Sequence, residues 1–243
     1  MAYAGHQYGR FVQLGDGRAH TIGSCRWQNQ LVDITLKGSG PTPFSRGGDG
    51  WAALGPMCRE YLICEAMHAL GVPTTRVLAV LKTGQSVRRE TIQPGAVLVR
   101  MMRCALRIGS FEHLAARGDW PALQQLVHLA IKRHDPELLE ANQPIVSWLR
   151  QVVQRQIETL VHWQRVGFVH GVMNTDNMLI CGETIDYGPC AFLDHYNPNQ
   201  VYSSIDRHGR YAFSQQPTVG QWNLARLAEV ICPWIDSTTQ TAL

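Results

Sequence analysis

Apolar side chains recur along this chain with two different periods. Through the first hundred residues they fall in short runs broken by glycine. Arg10-Phe11-Val12-Gln13-Leu14 runs into Gly15-Asp16-Gly17-Arg18, and Leu31-Val32-Asp33-Ile34-Thr35-Leu36-Lys37 alternates apolar with polar residues before Gly38-Ser39-Gly40. Alternation with a period of two marks a strand with unlike faces, so these segments read as two strands bracketing a glycine turn. Arg76-Val77-Leu78-Ala79-Val80-Leu81 and Gly95-Ala96-Val97-Leu98-Val99-Arg100 read as two more. The second of these is nearly all apolar, which predicts a central strand covered on both faces. From Pro56 to Gly71 the spacing is helical instead, with a proline suited to a first turn and a glycine suited to a C-cap.

From about Trp120 to Gln164 helix-formers dominate and glycines are few. Pro144-Ile145-Val146-Ser147-Trp148-Leu149 through Val161-His162-Trp163-Gln164 places apolar residues three and four apart, as on the buried face of a helix. The change of period predicts an α+β chain. The shift suggests a mixed β lobe followed by a helical lobe. There is no internal repeat and no low-complexity linker.

Composition narrows the function classes. With 243 residues the chain is long enough for one large domain or two closely packed lobes. Charged residues make up 17%, against roughly 25% in a typical soluble domain, and the net charge is only +3. That is far from the basic density that drives binding to nucleic acid, so no nucleic-acid partner is expected. No window reaches the roughly 18 uncharged apolar residues of a membrane span, and Met1 to His6 has neither the basic start nor the apolar core of a signal peptide. A soluble, non-secreted protein is expected. The seven cysteines include no C-x-x-C pair and sit mostly among apolar neighbours, so they read as buried thiols in a reducing compartment.

The chemistry concentrates in His170-Gly171-Val172-Met173-Asn174-Thr175-Asp176-Asn177-Met178, followed by Thr184-Ile185-Asp186-Tyr187-Gly188. Phosphotransfer enzymes of the protein-kinase type carry H-R-D-x-x-x-x-N and then D-F-G. The step from His170 to Asn177 fits the first pattern, and Asp186-Tyr187-Gly188 fits the second. Two residues after the histidine, where such kinases keep the carboxylate that accepts the substrate proton, stands Val172, which can accept none. Asn177 and Asp186 supply oxygens suited to Mg²⁺. Asp176 is then the nearby carboxylate left for proton acceptance. Either motif alone is common in turns, and the order along the chain is what gives them weight. A glycine turn, a strand-end Lys37, a helical Glu60, then the Asn and Asp pair is the kinase sequence of parts. Arg100 ends an apolar strand and Arg107 follows it. A buried arginine needs an anion, which is either a phosphate or a structural carboxylate.

These residues resemble the selenoprotein O family of protein adenylyltransferases, members of the kinase-like superfamily once classed as pseudokinases. The resemblance rests on Tyr3-Ala4-Gly5-His6-Gln7-Tyr8-Gly9, Gln13-Leu14-Gly15-Asp16-Gly17-Arg18-Ala19, Leu36-Lys37-Gly38-Ser39-Gly40-Pro41-Thr42-Pro43-Phe44-Ser45-Arg46, Glu65 to Gly71, His170 to Met178 and Thr184 to Pro189. It implies a two-lobed protein-kinase-like fold, with 1–103 as the N-lobe and 104–243 as a C-lobe incomplete at its C-terminus. It also implies transfer of AMP from ATP to hydroxyl side chains of proteins, with the nucleotide flipped so that the α-phosphorus faces the acceptor. By motif, Gly15, Gly17 and Arg18 would line the nucleotide, Lys37 would bind phosphate and pair with Glu60, and Asp49-Gly50 would contact the flipped nucleotide. Arg100 and Arg107 would hold the terminal phosphates, Asn177 and Asp186 would bind Mg²⁺ or Mn²⁺, and Asp176 would be the base.

The chain departs from the family's usual pattern at Trp51, where an arginine is usual, at Gly55-Pro56, where a serine pair is usual, and at Cys190, where a large aromatic is usual. A smaller side chain at Cys190 is expected to loosen the packing behind Asp186. Family members are about twice this length, so a truncated member, or one chain of a split protein with the remainder as partner, is expected. An active transferase is the first reading; a nucleotide-binding pseudoenzyme or assembly partner without turnover is the alternative. Bacterial members are cytoplasmic and eukaryotic ones mitochondrial, and the bacterial compartment is the expectation here.

Overall fold

The computed structural model describes residues 2–235. A small hairpin comes first, β1 (Ala4–Gln7) antiparallel to β2 (Arg10–Gln13). After the glycine loop come β3 (Ala19–Trp27), β4 (Gln30–Lys37) and the short β5 (Ala52–Ala53), then helix α1 (Leu54–Ala69), β6 (Arg76–Arg88) and β7 (Ile92–Met102). The second half carries α2 (Ile108–Ala116), α3 (Trp120–His134), α4 (Pro144–Arg165), the short pair β8 (Phe168–Val169) and β9 (Ala191–Phe192), and α5 (Gln216–Ile231). Among the described residues the chain is therefore mixed α and β with antiparallel sheets. No described helix is long and apolar enough to cross a membrane.

Strand β7 is the centre of the main sheet, hydrogen-bonded to β4, β5 and β6. The expectation of full cover on both faces holds only in part: Ala96, Leu98, Arg100 and Met102 are buried, whereas Val97, Val99 and Met101 on the other face are half-buried. The glycine-turn reading is corrected. The strand that precedes the glycine loop pairs with β1, and the strand that pairs with β4 is β3, which the apolar pattern does not reveal. From Thr21 to Trp27 every residue of β3 is exposed, so no alternation is imposed on its sequence. In β4 the alternation holds with an unexpected sense: the polar members Asp33, Thr35 and Lys37 are buried, and Leu31 is exposed. Asp33 accounts for its burial by accepting from the Ala105 amide at 2.7 Å and from Arg133 of α3 at 2.7 Å. This ties the sheet to the helical half.

Helix α1 ends as its glycine predicts. Gly71 takes φ +73°, and the Val72 amide reaches back to the Met67 carbonyl at 2.9 Å. Its buried stripe is Met57, Glu60, Cys64 and Met67. Two apolar cores result. One lies within the helical half around Phe111, Leu123, Ile131, Trp148 and Leu227. The other joins α1 and β7 to Trp163, Phe168, Tyr187 and Tyr211, and so fixes the sheet against the helices.

The cysteine reading is corrected in part. Cys64, Cys104, Cys181 and Cys190 are buried, Cys58 is half-buried, and Cys25 and Cys232 are exposed. Cys190 packs fully buried in the second core. Its carbonyl and that of Gly188 accept from the Arg59 guanidinium of α1.

Candidate active site

The loop from His170 to Asn177 is built around one neutral imidazole. His170 is buried, and burial lowers its pKa from the ordinary histidine value. Its Nε2 donates to the Ile185 carbonyl at 2.8 Å, and its Nδ1 accepts from the Val172 amide at 3.3 Å. The same ring thus ties the loop's start to the residue before Asp186. Trp163 stacks on it with centroids 5.2 Å apart. Asn177 closes the loop by donating its amide to the Val172 carbonyl at 2.9 Å, and Val172 faces the cleft with no proton-accepting group.

Asp186 stands at φ +68°, a left-handed conformation that aspartate tolerates better than most residues but that still costs of order 1 kcal/mol or more. Its Oδ1 accepts from Lys37 Nζ at 2.5 Å. The Lys37 charge holds the Asp186 carboxyl well below the usual carboxylate range. Lys37 is the last residue of β4, and it also donates to Glu60 Oε1. The other Glu60 oxygen accepts from Arg100 of β7. Glu60 is therefore clasped between two cations and is only 3% exposed. The structural carboxylate considered for Arg100 is Glu60, yet Arg100 also lines the cleft. Its Nε is buried without a partner among the described residues.

Arg107 donates to the Tyr3 hydroxyl at 2.9 Å and to the Asp176 carbonyl at 3.0 Å, and its guanidinium lies 4.6 Å from the centre of the Tyr3 ring. Its Nε is likewise buried and unpartnered among the described residues, as is Oδ1 of Asp176. Burial pushes the Asp176 carboxyl up to about 6, against the opposing pull of Arg107. A carboxylate near this value is poised to take up and give back a proton close to neutral pH. Arg100 Nε, Arg107 Nε and Asp176 Oδ1 can each serve a ligand in the cleft, since a buried polar atom is costly to leave unsatisfied.

The cleft, about 240 Å³, brings together nine of the residues singled out from sequence: Gly15, Gly17, Arg18, Lys37, Arg100, Arg107, Asp176, Asn177 and Asp186. Glu60 sits behind Lys37. Asp49 and Gly50 line an adjoining hollow that shares Gly17 and Arg18 with the cleft. There Asp49 is bound by Arg89 at 2.8 and 3.1 Å, and Arg89 also reaches the carbonyl of Trp51. Tyr3, Gln7 and Arg46 line the cleft too, and the residue patterns gave them no role. Tyr3 precedes, and Gln7 ends, a strand too short to show a period.

The glycine loop is buttressed from outside. Thr42 donates to the Gly17 carbonyl at 3.0 Å, Ser45 donates to it as well, and the Leu14 and Gly15 amides donate to the Tyr3 carbonyl at 3.0 and 2.9 Å. Gly15 has φ +76°, and a Cβ there would meet the Phe44 ring at 2.1 Å. Gly17, at φ +61°, has open space around it. Gly15→Ala is expected to cost about 2–4 kcal/mol in urea unfolding, and Gly17→Ala only about 1 kcal/mol. Phe44→Ala should recover part of the Gly15→Ala loss. Equal costs at the two glycines would show that the Phe44 contact does not shape the loop.

No group of three or more His, Cys, Asp or Glu side chains is gathered for a metal among the described residues. The Asn177 and Asp186 pair suits a hard cation that takes one or two protein oxygens and completes its shell with phosphate and water. Asn177 has its amide nitrogen committed to Val172, which leaves its Oδ1 for such a cation.

Residues 1–242 match the family model described as protein adenylyltransferase SelO. The chain is 57% identical over 234 residues to a protein of Syntrophotalea carbinolica, 60% over 234 residues to one of Methylorubrum populi, and 56% over 243 residues to one of Nitrosococcus oceani. Each is named protein nucleotidyltransferase YdiU. These alignments cover 96%, 96% and 100% of the chain but 48%, 47% and 49% of the relatives. The chain thus spans about half the length of the curated relatives it matches.

Proposed function

Because the chain belongs to the SelO family of protein adenylyltransferases, we propose that it carries the catalytic centre of an enzyme that transfers AMP from ATP to Ser, Thr or Tyr hydroxyls of proteins. The fold that goes with this reading is a two-lobed kinase-like one, residues 1–103 forming the N-lobe and the chain from 104 onward the C-lobe. The observation that carries it is one cleft holding Lys37, Arg100 and Arg107 with Asp176, Asn177 and Asp186, while the kinase base position is Val172.

Three cations suit a triphosphate buried with its terminal phosphates inward, which leaves the α-phosphorus at the mouth facing the acceptor. Gly15, Gly17 and Arg18 cover the nucleotide, and Asp49-Gly50 touch it from the adjoining hollow. Asn177 and Asp186 would hold Mg²⁺ or Mn²⁺, which when bound supplies positive charge next to the phosphates. The acceptor oxygen attacks the α-phosphorus, its proton passes to Asp176, and the bond to the β-phosphate oxygen breaks so that pyrophosphate leaves. Arg100 and Arg107 stabilise the charge on that leaving group. Lys37, fixed by Glu60, is held ready for phosphate.

The test is to offer the protein ATP labelled at either the α- or the γ-phosphate, with Mg²⁺ or Mn²⁺ and protein acceptors. Only the α-label should become covalently attached to protein. Transfer of the γ-label would refute the reading in favour of a kinase, and ATP binding with no transfer would favour a pseudoenzyme.

A further inference from the structure

Next to the cleft, and outside its lining, lies a closed polar ring that nothing in the proposed chemistry uses. Glu112 of α2 is 3% exposed. Its Oε1 accepts from His6 Nδ1 of β1, and its Oε2 accepts from the Thr175 hydroxyl at 2.5 Å. The Thr175 oxygen in turn accepts from the His6 backbone amide at 2.7 Å. One residue earlier, the Asn174 side chain accepts from the Tyr8 amide at 3.3 Å. The β1–β2 hairpin therefore grips two consecutive residues of the loop, and Thr175 is covalently joined to Asp176. On its other side the loop is tied to the start of α2, through Arg107 to the Asp176 carbonyl and the Ile108 amide to the Met178 carbonyl at 3.0 Å each.

The backbone is fitted to this grip. A Cβ at Gly5 would come within 3.0 Å of both the Asp176 carboxylate and the Thr175 hydroxyl, and one at Gly109 would strike the Ala4 carbonyl at 2.0 Å. The His6 ring is held edge-on between Phe11 and Trp222, at 5.3 and 5.1 Å. A buried carboxylate whose two oxygens are both spent on one hairpin and one loop acts as a rivet between them.

We propose that Glu112 and His6 are positioning residues: with Thr175 they form a clamp that fixes the Thr175–Asn177 turn and so holds the Asp176 carboxylate in the cleft. The inference rests on the reading of Asp176 as the base. Neither Glu112 nor His6 lines the cleft, so both act through Thr175.

Thr175→Val keeps the shape and removes the hydroxyl, and Thr175→Ser keeps the hydroxyl. With the full-length protein, Thr175→Val is expected to lower kcat for AMP transfer by about tenfold to a hundredfold, while KM for ATP moves less than about threefold. Thr175→Ser should stay within about threefold of the parent. In an Asp176→Asn background, Thr175→Val should produce no further loss, since there is no base left to misplace. A loss of equal size in that background, or a KM for ATP that rises in step with the fall in kcat, would overturn the clamp. Should Thr175→Val fail to fold, His6→Gln, at a side chain that is 20% exposed, takes its place with the same expectations. A crystal structure of the variant gives a readout independent of turnover. A shift of about 1 Å or more in the 175–177 turn supports the clamp even if the parent transfers no AMP, which would sink only the functional reading. An unmoved turn overturns the clamp.

Discussion

Asp186→Asn is expected to lower AMP transfer by at least about a thousandfold while the fold survives. The carboxylate stays ionised at any working pH, because Lys37 holds its proton affinity far down. Asparagine has the same shape and tolerates the φ of +68° found there, so the substitution removes charge and little else. Asp186→Ala would add a backbone penalty of about 1 kcal/mol in the left-handed region, which makes it the poorer probe. Without the carboxylate, Asn177 alone would face the cation, and Lys37 would keep only Glu60 as an acceptor. The check is α-labelled AMP transfer together with thermal unfolding, in which the Asp186→Asn midpoint should stay within about 5 °C of the parent. Transfer within tenfold of the parent would place the metal elsewhere.

How far the site could be read beforehand depends on what each residue's burial obeys. The loop from His170 to Asn177 and the Asp186-Tyr187-Gly188 turn were legible because their spacing is set locally, by one histidine that bonds both segments. Glu60 was legible too, and its place in the stripe with Met57, Cys64 and Met67 separates it from Glu65, which pairs with Arg76 outside that stripe. Glu112 and His6 were not. Their partnership spans 106 positions of sequence, and a lone glutamate on a short helix carries no local mark of burial. Strand β3 escaped for the opposite reason. Its outer residues are exposed on both sides, so its sequence is free of the pattern by which strands are found. The buried face of β4 shows a third limit. Alternation gives a strand its period, and only the partners Arg133, Glu60 and Asp186 settle that the polar face is the inner one.

Glu60→Ala is expected to cost about 3–5 kcal/mol of stability, the largest loss from any single change at the site. The residue neutralises Lys37 and Arg100 together, and all three side chains are at most 10% exposed. Removing it leaves Lys37 and Arg100, which both line the cleft, as neighbouring cations around a cavity where their shared carboxylate stood. Among the described residues Arg100 already has its Nε unpartnered and Glu60 as its one carboxylate contact, which it would lose. The same substitution should lower AMP transfer by about tenfold to a hundredfold, because Lys37, which already donates to Asp186, would keep that carboxylate as its acceptor and compete for it with the cation. Urea unfolding measures the first effect, and ATP provides an internal control for it. A triphosphate offers replacement anions to Lys37 and Arg100, so saturating ATP should raise the stability of Glu60→Ala by more than it raises that of the parent. If the cost falls below about 1 kcal/mol, or ATP stabilises both proteins equally, Lys37 and Arg100 are satisfied by other groups and the terminal phosphates do not reach them.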